Sequence, residues 1–469
     1  MRMKPILVIQ MQRMGDLIMT FPLLLWLERR YPGREIIVVA EPRFYRDLAP
    51  LGPAVRYVSL SDLQLILDRE YSLVINVSHR RQGAFLAGKV RAEEIIGPYL
   101  DLENRLYIRG DWQLYRASLV ECNRHNTFHW AELNALDVIP LADVGATLWP
   151  EPRRLPLGNA RVGIFLGASQ DEKRPVASFW IGLAQGLLAR GMRPILLGGP
   201  AEQDLGNRVA RGLGMPVLNL AGKTSLDQFA RIGQTLQIMI TPDTGPMHLA
   251  AWTGLRTLNL SMGPVNPWET GPYQKGHYIL RTSMSCSGCW SCRFGVPRCT
   301  QTFDPDKIVR LVVEVIRHRE HNLAKMTFPG LELMRSARHL GGFWLDALAP
   351  GPEDPSARQA LDRFWHGVWK WHFKACDEEQ ARGAAAGLVQ AFPVLVKTMR
   401  ARLVSLCRVV ATHGGRTSGQ GDDLLVSSAM PCLSPCVSFA RLILENGNFA
   451  RSSYLSVLTL LERILSLLE

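Results

Sequence analysis

The sequence predicts an α/β protein: two doubly wound parallel sheets in tandem, followed by a helical extension. Three observations predict it. Short β-branched and aliphatic runs alternate with amphipathic stretches from the first residues to about residue 318, as strands covered by helices require. A Pro- and Gly-containing polar stretch from Pro140 to Asn159 lacks a period and divides those runs into two sets. Beyond about residue 320 the strand signal fades and helical segments dominate. A chain of 469 residues exceeds what one core usually organises, and 47% hydrophobic content with 20% charge excludes global disorder.

The first set of strands is read at Ile6–Ile9, Glu35–Ala40, Val55–Ser59, Leu73–Val77, Glu94–Ile96 and Leu106–Ile108. The second is read at Arg161–Leu166, Pro194–Leu197, Val217–Leu220, Leu236–Ile240, Thr257–Leu260 and Tyr278–Leu280. Helices are expected in the extension at Leu331–Leu348, Ala357–Cys376, Glu378–Thr412 and Ser452–Leu468, with a Gly-rich mobile loop from His413 to Asp423. The expected units are therefore residues 1–155, 156–320 and 321–469.

Fifty-four Lys+Arg against 42 Asp+Glu give a net charge of +12, which suits anionic partners such as nucleotides, phosphorylated glycans or an anionic membrane surface. A basic solvated surface is the plainer alternative. No clustered basic and aromatic stripe is present, so nucleic acid is not expected as a partner. The apolar run Ile6–Ile9 is too short for a signal peptide, and no stretch approaches the roughly 20 apolar residues of a spanning helix. A cytoplasmic protein with at most peripheral membrane contact is the expectation.

Chemistry-bearing residues gather where strands end. Ile6–Ile9 runs into Met11-Gln-Arg-Met-Gly15-Asp16, and a helix begins there, so Asp16 sits at a helix start beyond the carboxyl end of a strand, where open α/β sheets place ligands. Its carboxylate can serve as a general base or simply satisfy first-turn amides. Leu236–Ile240 leads into Thr241-Pro242-Asp243-Thr244-Gly245-Pro246-Met247-His248, with Pro246 suited to a first helical turn. Gly245 and the free amides after it form an anion site fit for a diphosphate. Thr244 adds a hydroxyl, His248 can contact phosphate or base, and Asp243 can orient the loop or accept from a sugar hydroxyl. Gly167-Ala-Ser-Gln-Asp-Glu-Lys173-Arg174 follows another strand, and Lys173 offers a cation to a leaving phosphate. Gly198-Gly-Pro-Ala-Glu202 and Ala221-Gly-Lys-Thr224 follow two more. Each loop alone is weak, but four in one unit describe a nucleotide site.

On these motifs residues 4 to about 318 resemble glycosyltransferase family 9, the ADP-heptose:lipopolysaccharide heptosyltransferases and their relatives. The resemblance rests on Met14-Gly15-Asp16, Gly167-Ala-Ser with Lys173-Arg174, Gly198-Gly199-Pro200 with Glu202, Ala221-Gly-Lys-Thr224, and Pro242-Asp-Thr-Gly-Pro-Met-His248. It implies a GT-B fold, two Rossmann-like domains facing a cleft, with a lipid-linked glycan acceptor in the first and a nucleotide-sugar donor in the second. It implies Asp16 as base and Lys173, Thr224, Asp243, Thr244, Gly245 and His248 as donor contacts. Neither a cofactor nor a metal is expected, because Lys173 and the helix amides can neutralise the leaving diphosphate. The alternative is a non-catalytic nucleotide- or metal-binding regulator on the same scaffold. Two departures stand out: five residues separate Lys173-Arg174 from Trp180, and the extension has no counterpart in the family.

Cys286, Cys289, Cys292 and Cys299 form C-x2-C-x2-C-x6-C, a spacing open to zinc, to an iron–sulfur cluster or to plain reduced thiols. The aromatic stretch from Phe364 to Phe373 suits packing against the extension's own helices, with lipid or partner contact as the alternative.

Overall fold

The computed structural model describes residues 3–156, 158, 160–295, 297–339, 342–348, 356–413 and 430–469. In the first sheet the strands are β1 (Ile6–Ile9), β2 (Ile36–Val39), β3 (Arg56–Val58), β4 (Leu73–Asn76), β5 (Ile95–Leu100) and β6 (Leu106–Arg109). Their order is β3-β2-β1-β4-β5-β6, parallel except for the antiparallel pair β5–β6. In the second sheet β7 (Arg161–Phe165), β8 (Arg193–Leu197), β9 (Leu218–Asn219), β10 (Ile238–Pro242), β11 (Thr257–Ser261) and β12 (Tyr278–Thr282) run parallel in the order β9-β8-β7-β10-β11-β12. Strands buried on both faces read as continuous apolar runs, and β1, β2, β10 and β11 are buried at every position.

The chain reverses its winding beside β1 in the first sheet and beside β7 and β10 in the second. Crevices at such reversal points are where doubly wound sheets bind ligands. Two helices start there: α1 (Met14–Met19) after β1 and α2 (Gly245–Trp252) after β10. A short helix, α3 (Pro267–Thr270), follows β11.

The helix expected at Leu331–Leu348 is instead a hairpin of β13 (Leu331–His339) and β14 (Gly342–Ala347), which continues the second sheet antiparallel from β12. The physical reason lies in the local pattern. Phe343 and Leu345 are buried while Trp344 between them is half-buried, a period of two. Edge pairing with β12 then decides against the helix.

The remaining extension is helical: α4 (Ala357–His372), α5 (Glu378–Ala391), α6 (Pro393–His413), α7 (Ser434–Asn446) and α8 (Arg451–Leu467). The single helix expected over Glu378–Thr412 is broken at Pro393, which lacks the N–H that would continue it and opens α6 instead. Of the loop expected from His413 to Asp423, His413 instead ends α6 and the rest lies outside the described residues. The aromatic stretch does pack inward, against the extension's Phe439 and also against Trp112 and Tyr115 of the first unit; Trp365 and Trp369 are fully buried. Among the described residues no helix is long and apolar enough to cross a membrane.

Candidate active site

β1 ends in Gln10, and the turn from Met11 to Arg13 reverses into α1, placing Asp16 in its first turn. Its Oδ2 accepts the Arg13 backbone N–H at 3.2 Å, so the carboxylate caps its own helix. Burial holds the carboxyl above the usual carboxylate range, opposed by that N–H and by the Arg116 guanidinium. Arg116 is 3% exposed and stacks 4.5 Å over the Trp130 ring while donating to the Val77 carbonyl at 2.7 Å. Burial lowers it to about 9, and its Nε has no partner among the described residues.

Across the crevice, Thr244 precedes α2 with extended backbone and a hydroxyl that makes no cap bond, leaving the first amides of α2 to other acceptors. The two helix starts meet through glycine. A Cβ added to Gly15 would lie 3.3 Å from the Gly245 Cα and 3.3 Å from the His248 ring; one added to Gly245 would lie 2.6 Å from the Met14 methyl. Only hydrogens allow this approach, and they bring Asp16's turn to the positive end of α2.

Lys173 comes from the loop after β7, and its Nζ lies 3.6 Å from Asp243 Oδ1, both nearly buried. Thr270 of α3 donates to the other Asp243 oxygen, so Asp243 is spent on positioning Lys173 and α3. Gly263, at φ 75°, closes over this turn: a Cβ there would sit 3.0 Å from the Glu172 carbonyl. His248 is buried, which pushes its ring down to about 4 despite Asp243 nearby, so it meets a ligand as neutral imidazole.

Glu202 ties the flanking loops: it accepts the Gly199 N–H at 2.9 Å, and a Cβ on Gly167 would strike its carboxylate. Arg174 turns back onto the Ala168 carbonyl. Thr224 is half-buried after β9, in the loop that packs through Gly222 on Pro200. Asp243, Gly245, His248 and Lys173 thus gather at one point facing Gly15 and Asp16, with Thr224 at the rim of the same loop group. Trp180 is fully buried and belongs to the core.

Sequence reasoning missed Arg116 and Thr270, and it named Glu202 without a role. Arg116 sits in an ordinary amphipathic helix, and only the tertiary contact with Val77 and Trp130 marks it. The four cysteines follow β12 as free thiols; burial, then the neighbouring thiols, raises Cys289 and Cys299. Among the described residues no group of three or more His, Cys, Asp or Glu is arranged to hold a metal.

Two doubly wound sheets with the helix starts of α1 and α2 meeting between them make a GT-B fold. Residues 128–295 match the model of glycosyltransferase family 9 (heptosyltransferase). It is 27% identical over 316 residues to lipopolysaccharide heptosyltransferase 1 of Pseudomonas aeruginosa, covering 61% of this chain and 85% of that one. Over 103 residues it is 31% identical to lipopolysaccharide heptosyltransferase 2 of Escherichia coli K12, covering 21% and 29%. Its fold matches a family 9 glycosyltransferase from Veillonella parvula with a TM-score of 0.54 at 20% identity, covering 67% of this chain and 98% of that one. The ADP-heptose heptosyltransferase II of E. coli matches at 0.50 and 20%, covering 67% and 99%.

Proposed function

We propose that the protein is an inverting, metal-independent heptosyltransferase that moves a heptose or related sugar from an ADP-heptose-like nucleotide sugar to a lipopolysaccharide-core or similar lipid-linked acceptor, at the cytoplasmic face of a membrane. Residues 1–155 receive the acceptor and 156–320 the donor. The observation that carries the reading is the near-backbone contact of Gly15 with Gly245, which sets a carboxylate with a raised pKa against an amide-rich helix start.

Asp16 takes the proton from the acceptor hydroxyl as that oxygen attacks the anomeric carbon. The bond to the diphosphate breaks on the opposite side, and its charge is met by the α2 amides, the Thr244 hydroxyl and Lys173. Lys173 is held ready by Asp243, and neutral His248 donates without adding charge. Thr224 borders the nucleotide.

The test is transfer by the purified protein, screened with ADP-, UDP-, GDP- and dTDP-sugars and with and without EDTA. Asp16→Asn is expected to lower turnover by about 10²-fold or more with donor affinity unchanged. Wild-type protein that binds no nucleotide sugar, or an Asp16→Asn variant with full turnover, would sink the proposal.

A further inference from the structure

A second cavity lies away from these residues, between the start of the helix Leu141–Ala146, the β13–β14 hairpin and the α4–α5 pair, with a volume of about 690 Å³. Its walls are mostly apolar, from Leu141, Ala142, Trp344 and Ala384, and its cations are Arg363 and Lys370. That volume suits a small organic molecule.

Arg363, His366, Gly367 and Lys370 fall at helical spacing and form one stripe of α4 along the cavity. Lys370 is only 9% exposed, yet among the described residues neither a carboxylate nor a carbonyl meets its ammonium. The nearby acids are engaged elsewhere. Asp362 bonds His125 at 2.7 Å, Asp377 caps α5 through the Gln380 N–H, and Glu378 pairs with Arg382. His366 supplies no charge either way: its Nδ1 meets the Thr127 hydroxyl at 2.9 Å, and burial pushes its ring down to about 3. Two cations on one stripe of a mostly apolar cavity, with no carboxylate among its lining residues, suit it to an anion. Apolar walls around a pair of cations select a particular ligand shape.

We propose that this cavity binds an amphipathic anion, a phosphate or carboxylate on an aliphatic or aromatic body, with Lys370 and Arg363 at the head and Trp344, Leu141, Ala142 and Ala384 along the body. Occupancy reaches toward the transfer site: the Trp344 ring packs 4.6 Å from Trp268 of α3, and Thr270 of the same short helix holds Asp243.

The experiment is a fluorescence titration of the full chain with 8-anilinonaphthalene-1-sulfonate, an aromatic anion, followed by competition with octyl phosphate, octanoate, octanol and inorganic phosphate. Saturable binding is expected, displaced by octyl phosphate or octanoate at concentrations about tenfold or more below those of octanol and of inorganic phosphate. The phosphate and carboxylate arms distinguish the head group. Lys370→Met is expected to weaken octyl phosphate by about tenfold or more while sparing octanol. Gln380→Trp, at the exposed rim, fills the cavity without touching either cation and is expected to abolish both, with an unchanged melting temperature showing that the variant folds. Absence of saturable binding, equal competition by inorganic phosphate, or binding untouched by both substitutions would overturn the proposal.

Discussion

The proposed reaction depends on what the surroundings do to Asp16. Asp16 has lost water and gained one N–H and a distant guanidinium, so its carboxyl is a better base than a solvated aspartate. In a profile of kcat/KM, activity is lost as pH falls and Asp16 takes up its proton. Arg116→Met removes the cation that favours the charged carboxylate, so the acid limb is expected to move to higher pH. An unmoved limb with a merely lower plateau would assign Arg116 to packing alone. Lys173→Met removes the cation at the leaving group and is expected to lower kcat by about 10²-fold. It also leaves Asp243 nearly buried with only Thr270, a loss of about 1–3 kcal/mol measurable by urea unfolding. Gly15→Ala separates space from propensity: alanine favours a helix by up to about 1 kcal/mol, yet its methyl would sit 3.3 Å from both Gly245 and His248. Unchanged or raised stability with transfer about tenfold lower is the expected result, because the methyl holds the two helix starts apart.

Elements differ in how much of themselves they show in the sequence. Parallel strands buried on both faces, such as β1 and β10, are short continuous apolar runs, and helix starts with Gly and Pro follow them directly, so the sheets and the loops bearing Asp16 and Gly245 were legible. The β13–β14 hairpin was not, because Leu331 to Leu348 satisfies a helical period as well as an alternating one, and only pairing with β12 separates them. The helix α7 was hidden for a similar reason: its role is fixed by a partner more than 300 positions away. Asn446 at its end donates to the Ile108 carbonyl at 3.0 Å and accepts the Ile108 N–H at 2.7 Å, closing the exposed rim of β6 as another strand would. Asn446→Ala leaves both main-chain groups without that partner and is expected to cost about 1–3 kcal/mol, read as a lower urea midpoint with transfer unchanged below the transition. A midpoint equal to the wild type would show that water replaces the amide at no cost.

Over the whole molecule, acid should act on both sheets and the extension together. Burial pushes His79 and His129 beside the first sheet, His277 in the second and His366 in the extension to about 3, and His248 and His372 to about 4. A histidine whose folded pKa is depressed binds its proton in the unfolded chain first, so stability present above about 6.5 is lost as pH falls towards 3. The opposite sign belongs to Glu269, raised by burial to about 7, and Asp137, raised to about 6; these favour the folded state increasingly as pH falls from those values towards 4. Six histidines outweigh these two carboxyls together with Asp16 and Glu132, which burial also raises, at about 1.4 kcal/mol per group per pH unit for each fully displaced titration. The urea midpoint is therefore expected to fall between pH 6.5 and 4.5 by an amount worth several kcal/mol, in one transition, because one apolar cluster joins the first sheet, part of the second and the extension. A flat or rising midpoint over that range would mean that the carboxyls dominate. Activity is also lost as Asp16 takes up its proton at falling pH, so the two are separated by enzyme returned from acid to pH 7.5: loss through Asp16 reverses at once, whereas loss through the histidines recovers only as fast as the chain refolds.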